Sequence, residues 1–233
     1  MCGRYSSTLP PEMMRRLLRY INRPNLRPRY NIAPTQDAPV IRPREPGPGA
    51  ERELVEIRWG LVPPWSKGPG TGPLMINARI ETVATLPAFR SAFRERRCLV
   101  PADGFYEWKR PPGEAKGPKQ AYRIHPADNG LMVFAGIWES WKALGGAALE
   151  SFAILTMDAK GPIRDIHERM PVMLAPEDYE PWLDVTAPNS RDVVKQLRFL
   201  PVESLAADAV SSYVNNVRND DPHCFDPPAA QLV

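Results

Sequence analysis

The sequence predicts a single domain that mixes many short strands with a few helices. Three observations carry this prediction. The 233 residues suffice for one substantial core, and no repeat or compositional break marks a second domain. The blocks 97–101, 104–109, 120–124, 131–138 and 151–157 are rich in β-branched and aromatic residues, and turns or Pro- and Gly-bearing loops lie between them. Helical spacing of apolar residues is confined to short stretches, the first being Met14, Leu17, Leu18 and Ile21.

Composition narrows the setting. Cys2, Cys98 and Cys224 are odd in number and not closely paired, and no signal peptide or long apolar run accompanies them. A reducing, cytoplasmic protein with no membrane span is therefore expected. The net charge of +3 hides an uneven distribution: residues 1–30 hold seven arginines against Glu12 alone, a local excess of +6. A second excess lies at 79–97, where Arg79, Arg90, Arg94, Arg96 and Arg97 face Glu81 and Glu95. Clustered guanidinium forks suit phosphate, although a solvated charged face is the ordinary explanation of any one run.

In chain order, Met1-Cys2-Gly3-Arg4 comes first. The initiator methionine is normally removed ahead of a small residue, which would leave Cys2 with a free α-amine beside its thiol. With reference pKa values of about 7.7 to 8.0 and about 8.5, roughly a tenth of the amine is neutral and a few per cent of the thiol is thiolate at neutral pH. An aldehyde can form an imine with the amine, and the thiol can then close a five-membered thiazolidine ring. Taken alone, these four residues read more readily as an ordinary frayed terminus.

A helix is predicted over 11–21, with Pro11 in its first turn and Arg15, Arg16 and Arg19 on its outer face. The Pro-rich stretch 24–34 must be extended or turning. Strands are expected at 38–42 and 53–59, separated by a variable loop at 43–52. Trp59 reads as a core plug, whereas Trp65, beside Pro64 at the edge of the Gly-rich loop 66–73, is a candidate surface for stacking on a base. A strand at 74–78 sets Asn77 and Arg79 on one side, and a helix follows over 87–96.

The strands at 97–101 and 104–109 flank a turn at Ala102-Asp103-Gly104. Alternation sets Phe105, Glu107 and Lys109 on one face and Tyr106 and Trp108 on the other. A carboxylate among aromatics is liable to a raised pKa, which suits proton transfer; a Glu paired with Lys or Arg is the plain alternative. After the loop 110–119 and the later strands, Gly161-Pro162 breaks the chain ahead of His167, one of three histidines. A lone histidine is more often structural than catalytic. No zinc spacing surrounds it, and His223-Cys224 is too little for a metal site. A strand near Val172, helices at 176–183 and 191–197, and extended segments near Leu200 and at 213–217 complete the prediction.

Taken together, Met1-Cys2-Gly3-Arg4, Tyr30 to Pro34, Trp59 to Trp65, Ile76 to Thr82, Arg97 through Trp108, Ile166 to Pro171 and Val214 to Asn219 resemble the SOS-response-associated peptidase (SRAP) family. Its members shield abasic sites in single-stranded DNA. The resemblance implies an α+β fold with a mainly antiparallel, barrel-like core and peripheral helices. It implies catalytic roles for Cys2, Asn77, Glu107 and His167, and a thiazolidine crosslink formed through Cys2 after loss of Met1. In this reading His167 opens the sugar, Glu107 moves protons, and Asn77 aligns the amine or the sugar oxygen. Arg4, Arg79 and Arg169 grip flanking phosphates, and Trp65 stacks on a neighbouring base. No cofactor, metal or protein partner is implied, a monomer is expected, and the chain lacks the long tail of animal members. The family name adds peptidase chemistry, which here would remove only Met1, a step an aminopeptidase performs equally well. Two other functions use the same residues: an N-terminal-nucleophile amidohydrolase whose own amine is the base, and a non-covalent single-strand binding module.

Overall fold

The computed structural model describes residues 2–110, 117–143, 146–187 and 190–229. The fold is α+β and dominated by strands. Most of the loop predicted at 110–119 lies outside the described residues, as does Met1.

Strands β1 (Tyr5–Ser7) and β2 (Arg29–Ile32) flank helix α1 (Pro11–Leu18), and β3 (Asp37–Pro43), β4 (Arg52–Trp59) and β5 (Asn77–Arg79) follow. Helix α2 (Arg90–Glu95) leads to β6 (Arg97–Ala102), β7 (Gly104–Lys109), β8 (Gln120–Pro126), β9 (Met132–Lys142) and β10 (Ala148–Asp158). The chain then runs through β11 (Arg169–Pro171), α3 (Tyr179–Leu183) and β12 (Leu205–Val210), joined by short 3₁₀ turns. One sheet has the order β12-β8-β7-β1-β2. The other runs β11-β10-β4-β3-β6-β9, with β5 beside β10, and the β9–β10 pairing closes β10, β4, β3, β6 and β9 into a ring. Closure removes sheet edges that would otherwise need covering. The pairings are antiparallel except those of β10 with β4 and β5.

The ring is filled by Trp59, Phe134, Phe152, Ile154 and Leu99, all buried, together with Tyr5 and Phe105 from the neighbouring sheet. Tyr5 meets Trp59 edge-on at 5.1 Å and Phe134 at 5.9 Å between centroids. Trp59 is a core plug, its Nε1 donating to the Ile76 carbonyl at 2.9 Å. Strand β7 divides its side chains between two cores: Phe105 joins the ring, while Tyr106 and Trp108 join a smaller cluster with Val210, Val214 and Cys224. Two-residue alternation produces that division.

The helices are shorter than the periodicity predicts. α1 ends at Leu18 because Arg19 takes a left-handed conformation, φ 57°. Tyr20 then pairs with Arg52, and its hydroxyl donates to the Pro11 carbonyl at 2.7 Å. Burial of Tyr20 thus outweighs three further residues of helix. The predicted helix 191–197 is a 3₁₀ segment, Ser190–Lys195, and the segment 213–217 expected to be extended contains the 3₁₀ turn Ser212–Asn215. The late strand is instead β12, which lies along β8. Its alanines carry little β preference, so tertiary pairing defines it.

Candidate active site around Cys2

Strand β10 gathers one half of the site. Its Thr156 pairs with Arg79 of β5 on one edge and with Pro171 of β11 on the other. Two segments about 90 residues apart in sequence, 77–79 and 167–171, are thereby brought to one end of the barrel. The other half comes from β1 and β7, which pair Tyr5 with Phe105 and Ser6 with Gly104; the Tyr106 N–H donates to the Arg4 carbonyl at 2.9 Å. Continuing that register sets Gly3 opposite Glu107.

Cys2 is fully buried, and Asn77 Nδ2 donates to its carbonyl at 2.8 Å. The other end of that amide, Asn77 Oδ1, is buried with no hydrogen-bond partner among the described residues. Such an acceptor needs a donor, because a desolvated carbonyl without one is costly. Burial, and then the nearby Glu107 charge, push the Cys2 thiol far above its ordinary value. The few per cent of thiolate expected from reference values does not hold in this setting: the thiol stays protonated at neutral pH.

Glu107 is 3% exposed, and burial pushes its carboxyl up to about 7. Its Oε2 lies 4.0 Å from His167 Nε2. The backbone N–H of Arg169 donates to His167 Nδ1 at 2.9 Å. An amide N–H can only donate, so this contact assigns the neutral ring a proton on Nε2, the nitrogen facing Glu107. The Arg169 carbonyl, 3.1 Å from the same Nδ1, can accept from it once the ring is protonated. Burial lowers the His167 pKa, which favours the neutral ring at pH 7.

The residues expected to contact DNA separate into three kinds. Trp65 is 66% exposed and borders a cavity of about 630 Å³ lined also by Leu61, Pro63, Leu74, Met75 and Arg58. Arg79 is exposed and makes no ion pair among the described residues. Arg4 is half-buried: its Nη1 donates to Asn31 Oδ1 and to the Val214 carbonyl, both at 2.8 Å. Arg169 departs from expectation. Its guanidinium holds both Glu81 oxygens at 2.9 Å, Asp158 at 2.5 Å and the Thr156 carbonyl at 2.8 Å. With its charge met by two carboxylates, Arg169 clamps the turn that carries His167 rather than offering a fork to phosphate.

Asn31 is the residue that sequence reasoning passed over. It is fully buried, accepts from Arg4, and its Nδ2 lies 3.1, 3.2 and 2.7 Å from the carbonyls of Val214, Asn216 and Asn219. Asp220 accepts from the N–H groups of Tyr30 and Asn31 at 2.6 and 3.0 Å. These bonds strap the segment 214–220 over Arg4. The asparagines at 31, 215, 216 and 219 were the available signal, but their bonds span more than 180 residues. No cluster able to hold a metal is found among the described residues, and His223 is exposed with Asp226 at 2.8 Å.

The profile of the SOS response associated peptidase (SRAP) family matches residues 1–217. The abasic site processing protein YoaM of Bacillus subtilis is 39% identical over 201 residues, 85% of each chain. The abasic site processing protein HMCES of Gallus gallus is 33% identical over 267 residues, covering 97% of this chain and 78% of that one. Among solved structures, a phage-related protein of Bordetella bronchiseptica superposes with a TM-score of 0.71 at 32% identity, covering 90% of this chain and 94% of that one.

Proposed function

The chain belongs to the SOS response associated peptidase (SRAP) family, and on that premise we propose that it captures abasic sites in single-stranded DNA covalently, through the amine and thiol of Cys2 once Met1 is removed. The observation that carries this reading is the convergence on Cys2 of a positioned amide, Asn77, and a buried carboxyl, Glu107, near His167. A free Cys2 amine is the kind of donor that the unpartnered Asn77 Oδ1 requires.

The chemistry follows from these groups. An abasic deoxyribose is mostly a closed hemiacetal, and the Nε2 proton of His167 is suited to reach the ring oxygen as the aldehyde opens. The Cys2 amine attacks the aldehyde carbon, and Glu107 takes a proton from nitrogen and returns it to the departing hydroxyl as water. The thiol sulfur then adds to the imine carbon, its proton passes to Glu107, and the imine nitrogen gains one as the ring closes. Aldehyde, amine and thiol become thiazolidine and water. A carboxyl with a pKa near 7 is about half ionised at neutral pH and serves both as acid and as base. Trp65 stacks on a base beside the lesion, Arg79 meets a flanking phosphate, and Arg4 orders the strap at 214–220.

The test is denaturing electrophoresis of protein mixed with a single-stranded oligonucleotide carrying one abasic site, with Cys2→Ala and an intact oligonucleotide as controls. A heat-stable shifted band that needs both the lesion and Cys2, with the summed mass of protein and oligonucleotide less one water, is the expected result. No band from a chain whose mass lacks Met1 sinks the proposal. Turnover of amide substrates in its place would favour the amidohydrolase, and lesion-independent binding retained by Cys2→Ser the non-covalent module. The same masses address the peptidase activity: Met1 kept by Glu107→Ala but lost by wild type assigns its removal to the site itself, and loss by both assigns it to an aminopeptidase.

A further inference from the structure

Glycine and proline crowd the loop 66–73, yet the rest of the chain pins it. Trp141 Nε1 donates to the Ser66 carbonyl at 2.8 Å, the Ser66 N–H donates to the Pro63 carbonyl at 3.0 Å, and the Thr71 hydroxyl donates to the Gly68 carbonyl at 2.7 Å. The loop walls the cavity of about 630 Å³ beside Trp65, a volume within the range of preformed ligand sites. Leu61, Leu74 and Met75 give that cavity apolar walls, and two cations, Arg58 and Lys67, border it. Neither cation makes an ion pair among the described residues, and no carboxylate lines the cavity. Arg58 Nη1 donates to the Thr35 carbonyl at 3.0 Å, while its Nε has no hydrogen-bond partner among the described residues.

Thr35 has φ 74°, a left-handed conformation that a β-branched residue rarely takes. Such strain persists where neighbouring contacts over-determine it, and it clusters at ligand clamps. Here the Thr35 N–H donates to the Trp59 carbonyl at 2.8 Å, and its own carbonyl is turned to Arg58. The strained turn thus holds one nitrogen of the guanidinium at the cavity wall and leaves its other donors to a ligand. The cavity adjoins the Cys2 site: Met75 pairs with Leu61 and stands two residues before Asn77, about 7 Å along an extended chain. A strand centred on Cys2 reaches it with a nucleotide flanking the lesion. The exposed indole and apolar walls call for a flat ring, and the unanswered cations call for acceptors. A phosphate would use only the cations and an aliphatic group only the walls, whereas a nucleobase uses both. Among the bases, guanine carries two adjacent acceptors, O6 and N7, that match paired guanidinium donors; adenine sets a donor beside its N7.

We propose that this cavity receives an unstacked base flanking the abasic site, held on the Trp65 ring, and that Arg58 selects guanine there. The proposal rests on the reading that the Cys2 site takes an abasic strand. The test is fluorescence anisotropy of the whole protein with single-stranded oligonucleotides carrying a tetrahydrofuran abasic analogue, which has no aldehyde and reports binding apart from crosslinking. The positions on either side of the analogue are filled in turn by each of the four bases and by a second tetrahydrofuran residue. One position is expected to respond: loss of its base weakens binding about tenfold, and guanine there binds about tenfold more tightly than adenine. Trp65→Ala should remove the first difference. Arg58→Lys keeps the charge without the paired donors, so it should remove the second difference and leave the first, the salt dependence and the melting temperature as in wild type. The proposal is overturned if no position responds, if the four bases bind alike at the responding position, or if the preference for guanine survives Arg58→Lys. Crosslinking to a true abasic site separates this proposal from its premise. Crosslinking without a responding position overturns the cavity proposal alone, and absence of both crosslinking and binding overturns the Cys2 reading with it.

Discussion

Replacing Glu107 by glutamine keeps the shape of the side chain and removes its proton chemistry. The carboxyl is raised from an ordinary 4.5 to about 7 by burial, which amounts to about 3 kcal/mol in favour of the protonated form. Between those two values the folded chain binds more proton than the unfolded one. The stability associated with Glu107 is therefore full below 4.5 and is lost as pH rises through about 7. Glu107→Gln, neutral at every pH, should melt higher than wild type at pH 8, by up to about 3 kcal/mol, and the gain should vanish by pH 4. Over the same interval crosslinking should suffer: loss of a general acid–base group costs about a hundredfold or more in rate. The assay is single-turnover crosslinking to an abasic oligonucleotide from pH 5 to 9, with anisotropy to show unchanged DNA affinity and calorimetry for the melting curve. Wild type should show an inflection near pH 7 that the variant lacks. A native rate in Glu107→Gln, or an unchanged inflection, would refute the assignment of proton transfer to this carboxyl.

Trp65→Ala removes an exposed ring, so melting should not change, while affinity for single-stranded DNA should fall by about 1–3 kcal/mol in anisotropy if the ring stacks on a base. Arg169→Ala leaves Glu81 and Asp158 facing each other without their shared cation. It should lower stability by about 1–3 kcal/mol and slow crosslinking through a displaced His167, with little change in the salt dependence of DNA binding. A reduced salt slope would return Arg169 to phosphate contact. Asn31→Leu strips donors from three carbonyls and should release the strap, seen as faster amide exchange at Asn216 and Asn219 and weaker DNA binding through Arg4.

Several parts of this molecule were legible in its letters. Alternation along 104–109 assigns Phe105 and Glu107 to one face, and the structure puts that face against the ring core, where desolvation raises the Glu107 carboxyl. The contrast between Trp59 and Trp65 also follows from local sequence, since one ends an alternating strand and the other borders prolines and glycines. Side-chain periodicity is a local property of the backbone, and burial follows from it directly. The pairing of distant segments is not local. That β10 carries β5 on one edge and β11 on the other, and so sets Arg79 and Pro171 on either side of Thr156, depends on which strand edges meet. The end of α1 at Leu18, the identity of β12, and the conversion of Arg169 from a surface cation into a clamp are likewise decided by long-range contacts. The chemistry available to each side chain was set by the sequence by itself, together with the face it takes on its strand. The tertiary structure alone decided which charges were already answered, because an arginine reads the same in sequence whether it faces water or two carboxylates.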